Sequence, residues 1–343
     1  MKKICFFSSD ARPLYRRDVF RALSYPTGFV IHFRYQPIHV NIDLNTLTNK
    51  EGLIFLTAGN DLTKQEAERN ISHVSIREVI VIGSETAHDT GLIHFYLKLG
   101  DFKSFFLRDN PQDILPPIKL VSELNVDPGQ DLQWHEVINM IKPSFPSQLF
   151  YKFQLFNDKL LLSPLYNKIE KQSYYSIKDE SSYIIEMSFY DTEPSSSNNY
   201  HSLKITTINE KYLKIVAPNP IDIEARRDNR TYSLISETIS PSKAYTYLNF
   251  ETLLKSIDEK EKESQHPIVD STIKFEIIKS TSRTTSFALN FTLAAIVVAY
   301  AKILSDQVDF DGSFDWILTL QFVLAIILGF FSAYNLYRFF DKK

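Results

Sequence analysis

Two apolar segments close to the C-terminus set the class of this chain. The first covers about residues 285–304, TSFALNFTLAAIVVAYAKIL, and the second about residues 316–337, WILTLQFVLAIILGFFSAYNLY. Each is roughly 20 residues, the length that crosses about 30 Å of hydrocarbon at about 1.5 Å per residue. The second carries no charge, and the first carries only Lys302 near its end, where a long side chain reaches the headgroups. The chain as a whole is 44% hydrophobic, with a mean hydropathy of −0.17. The apolar excess is therefore confined to these two blocks. The expected architecture is a mainly β soluble region followed by a two-helix transmembrane hairpin over residues 283–340.

Charge sets the orientation of such a hairpin. Lys274, Lys279 and Arg283 precede the first segment, and Arg338, Lys342 and Lys343 follow the second. The intervening loop holds Asp306, Asp309, Asp311 and Asp315 and no basic residue. Both termini are expected on the cytoplasmic side of a cell inner membrane, with a short acidic loop outside. Trp316, Tyr334 and Tyr337 fall where interfacial aromatics belong. The N-terminal apolar run Ile4–Phe7 is too short for a signal peptide. A single cysteine, Cys5, excludes an intramolecular disulfide and fits a reducing compartment. Its place in a strand-like run makes it a core residue rather than a nucleophile.

The region before the hairpin is long enough for two domains. Residues 1–120 read as a small barrel-like β domain with short helices, one of them from Arg16 to about Ser24. Residues 121–147 read as a Pro-rich linker with a helix between Gln133 and Ile141. Residues 148–282 read as a β-sandwich-like domain of short strands. ETLLKSIDEKEKES, beginning at Glu251, reads as a helical interruption with a solvated charge run.

Composition and motifs remove several functions. Lys and Arg total 38 against 41 Asp and Glu, so nucleic acid is not an expected partner. Only 9 glycines, with no Walker, dinucleotide-binding, HExxH or GxSxG pattern, leave no recognisable catalytic or cofactor signature. No cofactor, no metal and no enzymatic activity are expected.

Three weaker signals point to binding. In GFVIHFRY, His32 and Arg34 share one strand face; in GLIHFYLKLG, His94, Tyr96 and Lys98 share another. If the two strands line one small barrel, these cations and rings converge and suit an anionic or nucleotide-like ligand. The solvated outer face of an antiparallel sheet requires the same alternation. Arg12, Arg16, Arg17 and Arg21, with Asp18 among them, form a cluster suited to phosphate or acidic lipid, or to a solvated helix face. The run Arg226–Arg230 is expected to form a turn between two strands of the second domain, either a charged hairpin tip or, at a membrane-proximal end, a contact for anionic headgroups. Within the apolar segments, Asn290 and Gln321 are expected to hydrogen-bond between helices.

The combined expectation is a membrane-anchored cytosolic sensing or binding protein that acts by self-association as a homo-oligomer. Its partners are the lipid bilayer and an unknown cytosolic ligand or protein. A sensory region joined to a short multi-span segment is similar in outline to membrane-disrupting effectors of bacterial immune systems, on architecture and on no motif. The alternatives are a passive membrane scaffold for a cytosolic partner, or an enzyme built from scattered residues such as His32, Arg34, His94 and Tyr96.

Overall fold

The computed structural model describes residues 1–9, 13–58, 72–108, 119–192, 199–256 and 271–280, with individual positions between 288 and 302. The protein is mainly β, with mixed sheets. Its N-terminal part comprises β1 (Lys2–Ser9), α1 (Pro13–Ser24), β2 (Val30–Tyr35), β3 (Val40–Asn41), β4 (Glu51–Ala58), β5 (Ser72–Thr86), β6 (Ile93–Leu99), β7 (Lys103–Leu107) and β8 (Val121–Asp131). These strands form one sheet of order β2-β6-β5-β4-β1-β8-β3, with β7 also on β8. β1 runs parallel to β4 and β3 parallel to β8; the other neighbours are antiparallel.

The sheet is open. β2 and β3 end it, and no pairing joins them among the described residues, which corrects the expected barrel. Parallel neighbours need a long crossover, and the chain from Ser9 to Glu51, containing α1, supplies it. β1 reads as a continuous apolar run because residues Ile4–Phe7 are buried on both faces: Phe6 meets Phe95 edge-on at 5.3 Å, while Phe7 stacks on Phe55 at 5.4 Å on the other side.

The expected linker is corrected as well. Residues 121–131 are β8, paired to β1 over Val121–Asn125 and to β7 over Val126–Asp131. Pro128 is tolerated because it lies beyond the β1 pairing, beside a register shift opposite Phe105. The helix does form, as α2 (Trp134–Ile141), closed by a reciprocal Gln133–Glu136 capping box.

The second part holds two sheets. One has the order β10-β9-β13-β17-β15, from β9 (Leu149–Asn157), β10 (Leu160–Leu161), β13 (Ser181–Asp191), β15 (Leu213–Val216) and β17 (Arg227–Ser236). The other has the order β11-β12-β19-β18-β14-β16, from β11 (Leu165–Asn167), β12 (Gln172–Lys178), β14 (Asn199–Thr207), β16 (Ile221–Ile223), β18 (Lys243–Ser256) and β19 (Ser271–Ile278). Their inner faces meet where Tyr151 and Phe153 of β9 stack on Phe250 of β18 at 5.6 and 5.7 Å. Residues Glu251–Ser256 continue β18 instead of starting a helix, because β14 pairs with them, Leu203 opposite Thr252. Backbone pairing outweighs helix propensity there.

α1 joins the two parts. Phe20 stacks on Phe150 at 4.6 Å, and Tyr25 packs edge-on against Phe153 at 6.2 Å. Trp134 Nε1 donates to the Leu23 carbonyl at 3.1 Å. The buried apolar residues form one continuous core from Ile4 to Ile277.

The chain leaves the second part at a defined end. There the Asp179 amide donates to the Ile278 carbonyl, and the Ser280 amide donates to Asp179 Oδ1, each at 2.8 Å. α1 contacts the opposite end, where the Tyr25 hydroxyl bonds the backbone of Thr272. Arg226–Arg230 also lies at that opposite end, since Arg227 pairs with Tyr190 near the close of β13. Arg226 and Arg227 sit over the Tyr190 ring, at 5.6 and 5.4 Å. The expected turn is corrected: Arg227–Arg230 lies within β17, paired to β13. Among the described residues no helix is long and apolar enough to cross a membrane. The two apolar segments lie largely outside the described residues, as do Asn290 and Gln321.

Candidate functional site

β2 and β6 pair antiparallel with His32 opposite Tyr96, Arg34 opposite His94 and Val30 opposite Lys98. Alternation then turns Ile31, Phe33 and Tyr35 into the core, and His32 and Arg34 to the other face. The His32 and His94 rings are 4.6 Å apart, and His32 stacks on Tyr96 at 5.3 Å. All five residues of the expected face are brought together, with Arg34 and Lys98 exposed and Tyr96 nearly buried.

The helix cluster reaches the same place in part. Arg21 Nη1 donates to the His32 carbonyl at 3.4 Å and pairs with Asp18 at the same distance. Arg17, Arg21 and Arg34 all act electrostatically on the buried Asp18. Arg16 turns away and lies over the Phe145 ring at 5.1 Å. Arg12 lies outside the described residues. The edge of β2 is thereby covered: Ser173 Oγ accepts from the Val30 amide at 2.7 Å, and Arg21 takes the His32 carbonyl. Capping an edge strand in this way blunts it as a template for further pairing.

Four further residues complete the patch, and sequence reasoning passed over three of them. Tyr96 donates to Glu85 Oε1 at 2.6 Å. Glu85 faces His94 only because β5 shifts register between Val81 and Gly83. Lys171, from the turn between β11 and β12, pairs with Glu85 and lies 5.8 Å from the Tyr96 ring centroid. Tyr166 of β11 stands near the same carboxylate, and both burial and that charge raise its proton affinity. A bulge and an 86-residue separation leave no local pattern to find. Asp18 is visible in sequence among the arginines, but its burial is not.

Burial and neighbouring charges shift the titration of several of these groups. Burial, reinforced by His94, Arg21 and Arg34, lowers the His32 pKa to about 4, so the ring is neutral at pH 7. Its Nε2 is buried with no hydrogen-bond partner among the described residues. Burial raises the Asp18 pKa to about 6 against the opposing pull of Arg21, Arg34 and Arg17. Lys171 and then Tyr96 hold Glu85 below the usual carboxylate range. Among the described residues no group of three or more His, Cys, Asp or Glu is placed to hold a metal ion. What remains is a cation-rich surface with stacked rings, suited to an anion.

A second polar pair is buried in the second part: His201 Nδ1 and Asp191 Oδ2, at 2.8 Å. It ties the end of β13 to β14. Comparison with known proteins gives no match, either to a family model or to a curated protein.

Proposed function

We propose that the protein is a membrane-anchored sensing protein that binds an anionic ligand or partner at the β2–β6 patch and responds by self-association. In this reading residues 285–304 and 316–337 form the transmembrane hairpin, and both termini are cytoplasmic. The two sheets of the second part act as a sandwich-like spacer. The observation that carries the reading is one of placement. Arg17 and Arg21 of α1, His32 and Arg34 of β2, and His94 of β6 converge on one surface, at the end of the body away from Ser280. A site for a cytosolic ligand belongs on the end facing away from the bilayer. Perturbation of the membrane by assembled hairpins is the sharper form of the proposal.

The test is membrane potential on expression. Depolarisation by the full chain, abolished by deletion of residues 283–340 and blunted by Arg34→Ala with His94→Ala at equal membrane level, is the expected outcome. A chain that stays monomeric in detergent with and without sulfate as a probe anion contradicts self-association. One observation favours the scaffold alternative: α1 locks both parts into one core, which suits a rigid bracket. Retained function after exchange of the hairpin for an unrelated anchor decides for the scaffold.

A further inference from the structure

The end from which the chain departs carries an apolar feature of its own. The β9–β10 turn presents Leu160 and Leu161, 70% and 48% exposed. They stand in register with Asn157 and Phe156, and Phe156 pairs with Ile184, three residues after β13 begins at Ser181. At about 3.4 Å per residue, Leu161 lies roughly 10 Å along the strand direction from the start of β13 at Ser181, which follows the Asp179 turn that holds Ser280. Edge strands of globular proteins ordinarily carry charged side chains at such positions. Here Lys159 precedes two consecutive leucines that face solvent on both sides of the strand.

The length of chain beyond Ser280 says what lies opposite. Four residues separate Ser280 from Thr285, where the first apolar segment begins. Fully extended, those five steps reach at most about 17 Å. The headgroup layer takes up about 6 Å of that span. The exit end is therefore held within about 10 Å of the lipid surface, on the membrane-anchored reading given above, on which this inference rests. Two exposed leucines beside a lysine thus stand towards the end of the body from which the chain departs.

We propose that Leu160 and Leu161 form a lipid-contact foot that inserts shallowly into the cytoplasmic headgroup region. The foot fixes the tilt of the β body, so that the β2–β6 patch faces the cytosol. Ile169 provides an internal control. It is 92% exposed, yet it lies in the turn before β12, near Lys171 and the patch, at the other end of that strand.

The experiment uses the full chain in phosphatidylcholine–phosphatidylglycerol bilayers, with an environment-sensitive fluorophore on Leu160→Cys or on Ile169→Cys. The native Cys5 is buried and remains unlabelled. The expected result is blue-shifted emission from position 160, lost when headgroup-level nitroxide lipids are added, with position 169 unaffected. Protein that resists a carbonate wash but shows no quenching at 160 overturns the foot and leaves the anchor intact. Quenching at both positions means that the body lies flat, which also overturns it. Release of the full chain by the wash removes the anchor and the foot together.

Discussion

Arg77 is the residue that most resists a surface reading. It is fully buried, donates to the Ala22, Tyr25 and Gly100 carbonyls at 2.6–2.8 Å, and lies over Phe102 at 4.3 Å. It thus satisfies carbonyls left over at the C-terminal end of α1 and favours the helix dipole. Burial lowers its pKa to about 9, so it stays charged at neutral pH. Arg77→Met leaves those acceptors unpaired and is expected to cost roughly 3 kcal/mol or more in urea unfolding. Asp18 acts in the opposite sense. Its folded pKa of about 6 lies above the ordinary 3.8, so its stabilising contribution is full below pH 4 and is lost as pH rises through 6. Asp18→Asn is therefore expected to stabilise the protein by up to about 3 kcal/mol at pH 7.5 and to give no gain below pH 4. His32 and His73, both lowered to about 4, work the other way, stabilising above pH 6.5 and losing that contribution as pH falls through 4. Unfolding curves of wild type and Asp18→Asn at pH 4 and pH 7.5 separate the two effects.

At the scale of elements, close approach and shared packing decide what forms. Gly52 sits where β1 and β4 run parallel, and a Cβ there would meet the Ile4 carbonyl oxygen at 2.9 Å and the Phe6 ring at 3.0 Å. Gly52→Ala is expected to destabilise the sheet by about 1–3 kcal/mol through overpacking, read in thermal unfolding. The alternating strands β2 and β6 were legible because one face is apolar and the other polar, which fixes register and face together. α2 was legible from its amphipathic spacing and cap. β8 was not, because VSELNVDPGQD is polar and holds a proline, and its identity depends on β1 and β7 arriving from elsewhere. β9 supplies Tyr151 and Phe153 to the centre of the second part, where only the partner sheet gives its residues an apolar face to meet. The patch was half legible. Its β2–β6 face follows from alternation, whereas Glu85 depends on a bulge, and Lys171 on a distant turn that Glu170 also holds, through Lys274.

At the scale of the molecule, α1 makes one cooperative body of what the sequence divides at 121–147. Phe20→Ala removes the ring between Phe145 and Phe150 and is expected to cost about 3–5 kcal/mol while unfolding stays a single transition. Two separated transitions, followed by circular dichroism and by Trp134 fluorescence, would speak against the shared core. The body is polarised, with the cation-rich patch towards one end and the departure of the chain at the other, so the functional account depends on where the bilayer lies. A membrane-impermeant maleimide applied to cells expressing Gly312→Cys reports this directly, since Gly312 falls in the acidic loop between the apolar segments and the native Cys5 is buried. The account predicts labelling of intact cells from outside, with no further gain on opening them; labelling only after the cells are opened would contradict it.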